Sequence, residues 1–263
     1  MTQKKTFRNH TRASGFSLIE MMLVLVILSI VMGVTMTAIN DVQKRARVEE
    51  ARVDLNQEAR EFVEQMVRDL HAAGYPTPAM FATPPANTSI QYAAGLVDAQ
   101  PTSIWFEGDL NGNGYVDVVR YQLVSDPNNA VGGRCPCILQ RGQAPKVAGT
   151  APNAQPAPTF STEVDGVINS GGGAAALVID GSFLAKGSST ITIANDVYYS
   201  RFKQDPIFRY YNNAGMELVP PIADLTQVRA IRITANTMSR VVDPITGTYP
   251  VNTQKSTARI SNR

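Results

Sequence analysis

Cysteine, histidine and tryptophan are scarce in this 263-residue chain, at two, two and one residues. His10 and His71 stand far in sequence from Cys135 and Cys137, so a zinc site built from the usual Cys and His ligands is not expected. The same scarcity leaves a Ser-His-Asp triad without an obvious histidine. No G-x-S-x-G, Walker or H-E-x-x-H motif is present. The expectation is therefore a non-enzyme that requires no cofactor. Charge is sparse too: 17% of residues are charged, against about a quarter in an average globular chain. The formal net charge of +2 comes from the N-terminus, where Lys4, Lys5, Arg8 and Arg12 precede Phe16 and no acid does. Beyond them, 20 of the 24 basic residues face 22 acidic ones. A chain body without basic excess argues against a nucleic-acid partner.

What the sequence does have is one long apolar run. Residues 16–39 contain a single ionisable side chain, Glu20. As a helix this run is about 36 Å long, enough to cross a hydrocarbon core of roughly 30 Å. The basic stretch before it should stay cytoplasmic, which predicts a single-pass membrane protein with its C-terminal part outside the cytoplasm. The run is longer than a secretory h-region and no good A-x-A site follows it. The small residue, Gly15, precedes the run instead, so a cut there would remove only the basic leader.

The stretch "GFSLIEMMLVLVILSIV" resembles the class III signal of type IV pilins and of the pseudopilins of type II secretion. The resemblance implies cleavage after Gly15 by a prepilin peptidase, N-methylation of Phe16 and an assembly role for Glu20. It also implies other pilin subunits, the inner membrane and an assembly platform as partners, with a pilus or a periplasmic pseudopilus as destination. An isolated carboxylate in a bilayer costs about 2.5–3.5 kcal/mol on insertion scales. A neighbour's Phe16 α-amino group would remove that penalty and set the axial register. One departure is the absence of the helix-kinking proline that many major pilins carry near the position of Thr37.

Between Asp41 and Ala73 there is no Gly or Pro, and 14 of 33 residues are charged. Val48, Leu55, Phe62, Met66, Leu70 and Ala73 fall on one helical face. Asp41–Arg45, Arg60–Glu64 and Glu64–Arg68 stand at i,i+4. "AGYPTP" then ends the helix. The expected organisation is a leader over residues 1–15, a membrane or filament-core helix over 16–39, its amphipathic continuation over 40–73 and a β-rich head over 74–263. Strands are predicted at Ser103–Leu110, Tyr115–Val124, Cys135–Arg141, Ala175–Asp180, Ser189–Ile193 and Val228–Ala235, with a final hairpin. Residues 142–173, rich in Ala, Pro and Gly, read as long surface loops. The fold class is α+β, a long N-terminal helix packed on an antiparallel sheet. The size, the "DLNGNGYVDVVRYQL" hairpin and the late "VRAIRIT" strand resemble the large PilW-type minor pilins and the J-type minor pseudopilin. The resemblance implies a minor pilin that primes assembly or sits at the tip. The alternatives are a minor pseudopilin of type II secretion, and a tip adhesin or DNA-uptake pilin.

Two further features carry chemistry. Asp109, Asn111, Asn113 and Asp117 supply oxygens at positions 1, 3, 5 and 9 of an EF-hand-like loop, with the Tyr115 carbonyl at position 7 and Gly114 at the sharp turn. This pattern is a candidate for calcium at an affinity of about 10⁻⁴–10⁻³ M. Position 12 is Arg120, so the bidentate glutamate is missing. The competing reading is a hairpin turn held by Asx hydrogen bonds. Cys135 and Cys137 share a face if extended, and an oxidising exterior favours a bridge between them. On an extended segment their Cα atoms would lie near the upper end of the disulfide range.

Overall fold

Helix α1 takes up 55 residues, Leu18–Ala72, because the stretch contains no proline and only one glycine, Gly33. The computed structural model describes residues 17–125, 135–169, 178–179, 191–192, 197–243 and 246–260. The chain divides into two units, Met1–Ala46 and Arg47–Arg263, and α1 contributes to both. In the first unit every described side chain is exposed, and this part of α1 is long and apolar enough to cross a membrane. Its hydroxyls are satisfied within the helix. Ser29 Oγ donates to the Leu25 carbonyl at 2.8 Å and Thr37 Oγ1 to that of Val34 at 2.8 Å. Thr35 Oγ1 lies 3.0 and 2.9 Å from the carbonyls of Val31 and Met32. A hydrocarbon surrounding requires that internal satisfaction of polar groups.

In the second unit α1 buries one stripe. Val48, Ala59, Phe62, Val63, Met66 and Leu70 are buried, followed by Ala73. The expected face is there, but Leu55 is only half-buried, and Ala59 and Val63 complete the stripe. Arg60 and Glu64 pair at 2.8 Å, whereas Asp41 pairs with Lys44 at 3.9 Å, one residue short of Arg45. The helix stops where Gly74 adopts φ +79°, a left-handed conformation that glycine takes without penalty. The Gly74 N–H then donates to the Glu107 carbonyl at 2.9 Å, and the Asp109 N–H to the Tyr75 carbonyl at 2.8 Å.

The head is an antiparallel sheet. β1 (Gly95–Ala99), β2 (Ser103–Gly108), β3 (Asp117–Ser125), β4 (Cys137–Pro145) and β5 (Phe160–Val167) pair in sequence order. β6 (Val178–Ile179) and β7 (Ile191–Thr192) pair with each other, and helix α2 (Val197–Lys203) follows. β8 (Phe208–Tyr211), β9 (Glu217–Leu218), β10 (Ala230–Met238) and β11 (Val251–Arg259) complete the larger sheet. β10 joins β5 through Thr237 and Val167, lies beside β8 over Ala230–Ile233, and pairs with β11 along its whole length. Buried Asn169 stitches this junction. It donates to the Asp205 and Thr234 carbonyls at 3.1 Å each, and its Oδ1 accepts from the Asn236 N–H at 2.7 Å.

One core joins helix and sheet: Phe62, Met66 and Leu70 of α1 meet Phe106, Val119, Tyr121, Leu139, Ile231 and Ile233. A smaller cluster packs Tyr199 of α2 against Ile168, Met238 and Tyr249. The α+β class is therefore as the sequence predicts. The reading of residues 142–173 as loops is corrected: β4 runs on to Pro145, and Phe160–Val167 is a strand. Two register shifts between β4 and β5 interrupt the period-2 pattern that would have revealed it. The predicted segments Ala175–Asp180 and Ser189–Ile193 are strands at Val178–Ile179 and Ile191–Thr192; their other residues lie outside the described ones.

Candidate functional site

The N-terminal site begins at Ser17, the residue before α1. The Ser17 N–H donates to Glu20 Oε2 at 3.0 Å, and the Met21 N–H donates to the Ser17 carbonyl at 3.2 Å. Ser17 thus occupies the N-cap and Glu20 the third helical position, the reciprocal half of a capping box. The carboxylate sits in the first turn, where unpaired helix N–H groups favour negative charge. Glu20 stays exposed, as do the apolar residues after it. Gly15 and Phe16, the expected cleavage and methylation positions, lie outside the described residues.

The Asp109–Asp117 loop links β2 to β3. Asp109 turns both carboxylate oxygens on its own loop: Oδ1 accepts from the N–H groups of Gly112 (2.8 Å) and Asn113 (3.2 Å), and Oδ2 from that of Gly114 (2.8 Å). Asn111 Oδ1 accepts from the Asn113 N–H at 3.1 Å, and Asn113 Oδ1 from the Tyr115 N–H at 2.8 Å. Asp117 Oδ2 receives Gln143 Nε2 at 2.9 Å and Asn111 Nδ2 at 3.4 Å. Burial, opposed by the Gln143 hydrogen bond and reinforced by the charge of Asp109, raises the Asp117 carboxyl above its ordinary range. Gly112 and Gly114 take φ of +71° and +83°, which aims the amides inward. The side-chain oxygens of Asp109, Asn111 and Asn113 thus accept from backbone donors of their own loop. As folded, the loop is an Asx-stapled turn.

Cys135 and Cys137 are joined by a disulfide with Cα atoms 4.3 Å apart. The expected separation was near the upper end of the range. It is short because Cys135 and Pro136 form a bend, and β4 starts only at Cys137. Tyr199 and Tyr210 are buried, Tyr211 is half-buried and Tyr198 is exposed. Trp105 is half-buried, with the Arg120 guanidinium 3.5 Å from its ring centroid.

Two polar constellations escaped the sequence reading. Lys146 and Glu107 form an ion pair at 2.8 Å with both side chains fully buried. Lys146 Nζ also donates to the carbonyls of Asn87 (2.9 Å) and Tyr92 (2.8 Å), and Glu107 Oε2 accepts from the Ala94 N–H at 3.0 Å. The pair fastens the connection between α1 and β1 onto the outer face of the sheet. On the inner face, Asp69 of α1 accepts from Tyr121 Oη and from Arg141 Nε. A lone acid in "SIWFEG" was the available signal for Glu107. Nothing local pointed to Lys146, 39 residues away.

Comparison with known proteins bears on the N-terminus. Residues 10–36 match the family model described as the prokaryotic N-terminal methylation motif. No curated protein and no solved structure matches the chain. The motif, the capped apolar helix and the antiparallel sheet together define a pilin-like class. Within it, the chain is similar to prepilins of the type IV pilin and pseudopilin kind, and its apolar helix fits a single-pass membrane anchor.

Proposed function

We propose that this chain is a minor type IV pilin that primes assembly or sits at the tip of a pilus. In this reading a prepilin peptidase cuts between Gly15 and Phe16 and methylates Phe16. The chain then leaves the inner membrane through an assembly platform and packs its N-terminal helix among those of other pilin subunits. The head stands outside the cytoplasm and has a structural role that needs no metal. The observation that carries the reading is Glu20, an exposed acid in the first turn of a helix otherwise apolar to Ile39. A neighbour's Phe16 amine supplies its counter-charge, and pairing removes the penalty of about 2.5–3.5 kcal/mol that either environment would otherwise impose.

The test is Glu20→Ala in cells that make the filament. Processing should be intact while recovery in sheared filaments falls at least about tenfold, since a lost buried pairing is worth more than 1.4 kcal/mol. Undiminished recovery would refute the assembly role. Deleting the gene for the chain should abolish piliation. Intact pili with blocked protein secretion would assign it to a secretion pseudopilus instead.

A further inference from the structure

The C-terminal end of the chain differs from the rest in charge. From Val228 to Arg263 there are six basic residues and one acid, Asp243, although the chain after its leader is close to balanced. Register gathers several of these bases on one face of the sheet. Arg232 lies opposite Thr257, Ala230 opposite Arg259 and Thr234 opposite Lys255. Arg232 therefore stands diagonally between Arg259 and Lys255, at about 7–8 Å from each. Ile231, Ile233 and Ala258, which alternate with them, are buried in the core that the sheet shares with α1. The three cations point out of the opposite face, and all are exposed, as is Arg229 beside them.

These side chains line two adjoining grooves of 270 and 590 Å³ that share Arg232 and Thr257. The larger holds Arg229, Arg232 and Arg259 and no acid. The smaller adds Lys255, and its one acid, Asp205, is engaged by Arg209 at 3.7 Å. Among the described residues Arg229, Lys255 and Arg259 form no ion pair, and Arg232 overlies the Tyr211 ring at 5.0 Å. Like charges gathered this closely repel, and an anion lying between them relieves the repulsion.

The rest of the lining selects among anions. Asn212, Asn213 and Thr257 set two amides and a hydroxyl beside the guanidinium groups, and these can donate to and accept from sugar hydroxyls. A nucleic acid is matched less well. Its bases stack on aromatic platforms, whereas Tyr211, the one aromatic ring of the larger groove, is overlain by Arg232. The cationic track from Lys255 to Arg259 is only about 13 Å long. The 20 bases and 22 acids after the leader supply no wider basic field to hold a phosphate backbone.

We infer that this face binds an anionic polysaccharide. The guanidinium groups of Arg229, Arg232 and Arg259 take carboxylates of the sugar chain, which their planar forks match with paired hydrogen bonds, and Lys255 extends the track. The inference goes beyond filament assembly and rests on that reading at one point: subunits that pack on α1 leave the opposite face of the sheet uncovered.

The test uses the full chain, extracted in a neutral detergent from cells that make the filament. Its binding is measured on surfaces carrying polygalacturonate, the methyl-esterified neutral polymer, a DNA duplex or bilayers containing phosphatidylglycerol. Polygalacturonate should be bound in preference to the other three. Arg232→Gln with Arg259→Gln should weaken that binding about tenfold. Arg45→Gln with Arg47→Gln, which removes the same charge from α1, should leave it unchanged. No binding to polygalacturonate, equal binding to the neutral polymer, or tighter binding to DNA or lipid would overturn the inference. So would an equal loss in the two variants. Mass spectrometry of the same chain reads its N-terminus: an uncut leader brings down the prepilin reading alone, while the binding results decide the inference alone.

Discussion

The carboxylate of Asp69 on α1 accepts a 2.5 Å hydrogen bond from the hydroxyl of Tyr121 on β3, across 52 residues of sequence. Arg141 of β4 donates to the same oxygen at 2.8 Å and completes an ion pair with Asp69. The Tyr121 ring meets Phe62 edge-on at 5.5 Å and stacks on Phe106 at 6.4 Å, so one side chain couples the polar tie to the apolar core. This triad fixes where the helix sits on the sheet of the head.

Tyr121→Phe keeps the ring and removes the tie. Asp69 retains Arg141, so the loss should be about 1–1.5 kcal/mol, or roughly 2–6 °C in Tm for a head of this size. The same substitution should alter the alkaline limb. Burial, then the charge of Asp69, raises the Tyr121 phenol well above its ordinary value, and burial does the same for Tyr210. Below about pH 10 both states hold these protons and nothing changes with pH. Above it the unfolded state releases protons that the folded state keeps, so stability falls as pH rises. Denaturant titrations between about pH 9 and 11 should show Tyr121→Phe losing stability less steeply, by up to about 1.4 kcal/mol per pH unit. Parallel slopes would mean that the hydroxyl is not buried against Asp69.

Lys146→Met should be among the costliest single changes in the head. It strips the fully buried Glu107 of its cation and frees the carbonyls of Asn87 and Tyr92. Removing one partner of a buried pair costs about 3–5 kcal/mol, while replacing both is far milder. The double variant Glu107→Gln, Lys146→Met should therefore recover at least about half of the loss. Strict additivity of the two single changes in chemical denaturation would contradict the coupling.

These constellations mark the boundary of what sequence reveals. The helix was legible because periodicity and the lack of breakers are local properties, and Phe62, Met66 and Leu70 lie where the spacing puts them. Glu20 was legible because its motif is contiguous. Strand β5 was not, since its two register shifts break the alternation. Helix α2 was missed because "VYYSRFK" is rich in aromatic and β-branched residues that fit a strand equally well. The partner choices of Asp69, Glu107 and Asn169 depend on tertiary register, which no local pattern encodes.

Gly108→Ala tests the seam between helix and sheet. A Cβ at Gly108 would stand 2.3 Å from the Ala72 carbonyl oxygen, on backbone that cannot swing aside. The hydrogen bonds on either side, from Gly74 to Glu107 and from Asp109 to Tyr75, hold the two segments together. Overpacking of this kind costs about 1–3 kcal/mol, so a fall of several degrees in Tm is expected. Gly33→Ala, where nothing lies within 4 Å, is the control and should leave the head's Tm unchanged.

Asp117→Asn separates the two readings of the β2–β3 loop. The Asp117 carboxyl is raised chiefly by burial, so the ionised form is the disfavoured one in the folded head. A raised carboxyl contributes stability below its unfolded value of about 4 and loses it as pH climbs through the folded value. At neutral pH the wild-type head therefore carries an ionised group at a site that resists it. Asp117→Asn, which can still accept from Gln143, should raise Tm at pH 7, and the gain should shrink toward pH 4. The oxygens of Asp109 and Asn113 are committed to backbone donors. The gain should therefore be the same with chelator and with millimolar calcium. A wild-type head that calcium stabilises by several degrees, with the effect abolished by Asp117→Asn, would show that the loop rearranges into a cation site and would reverse the assignment.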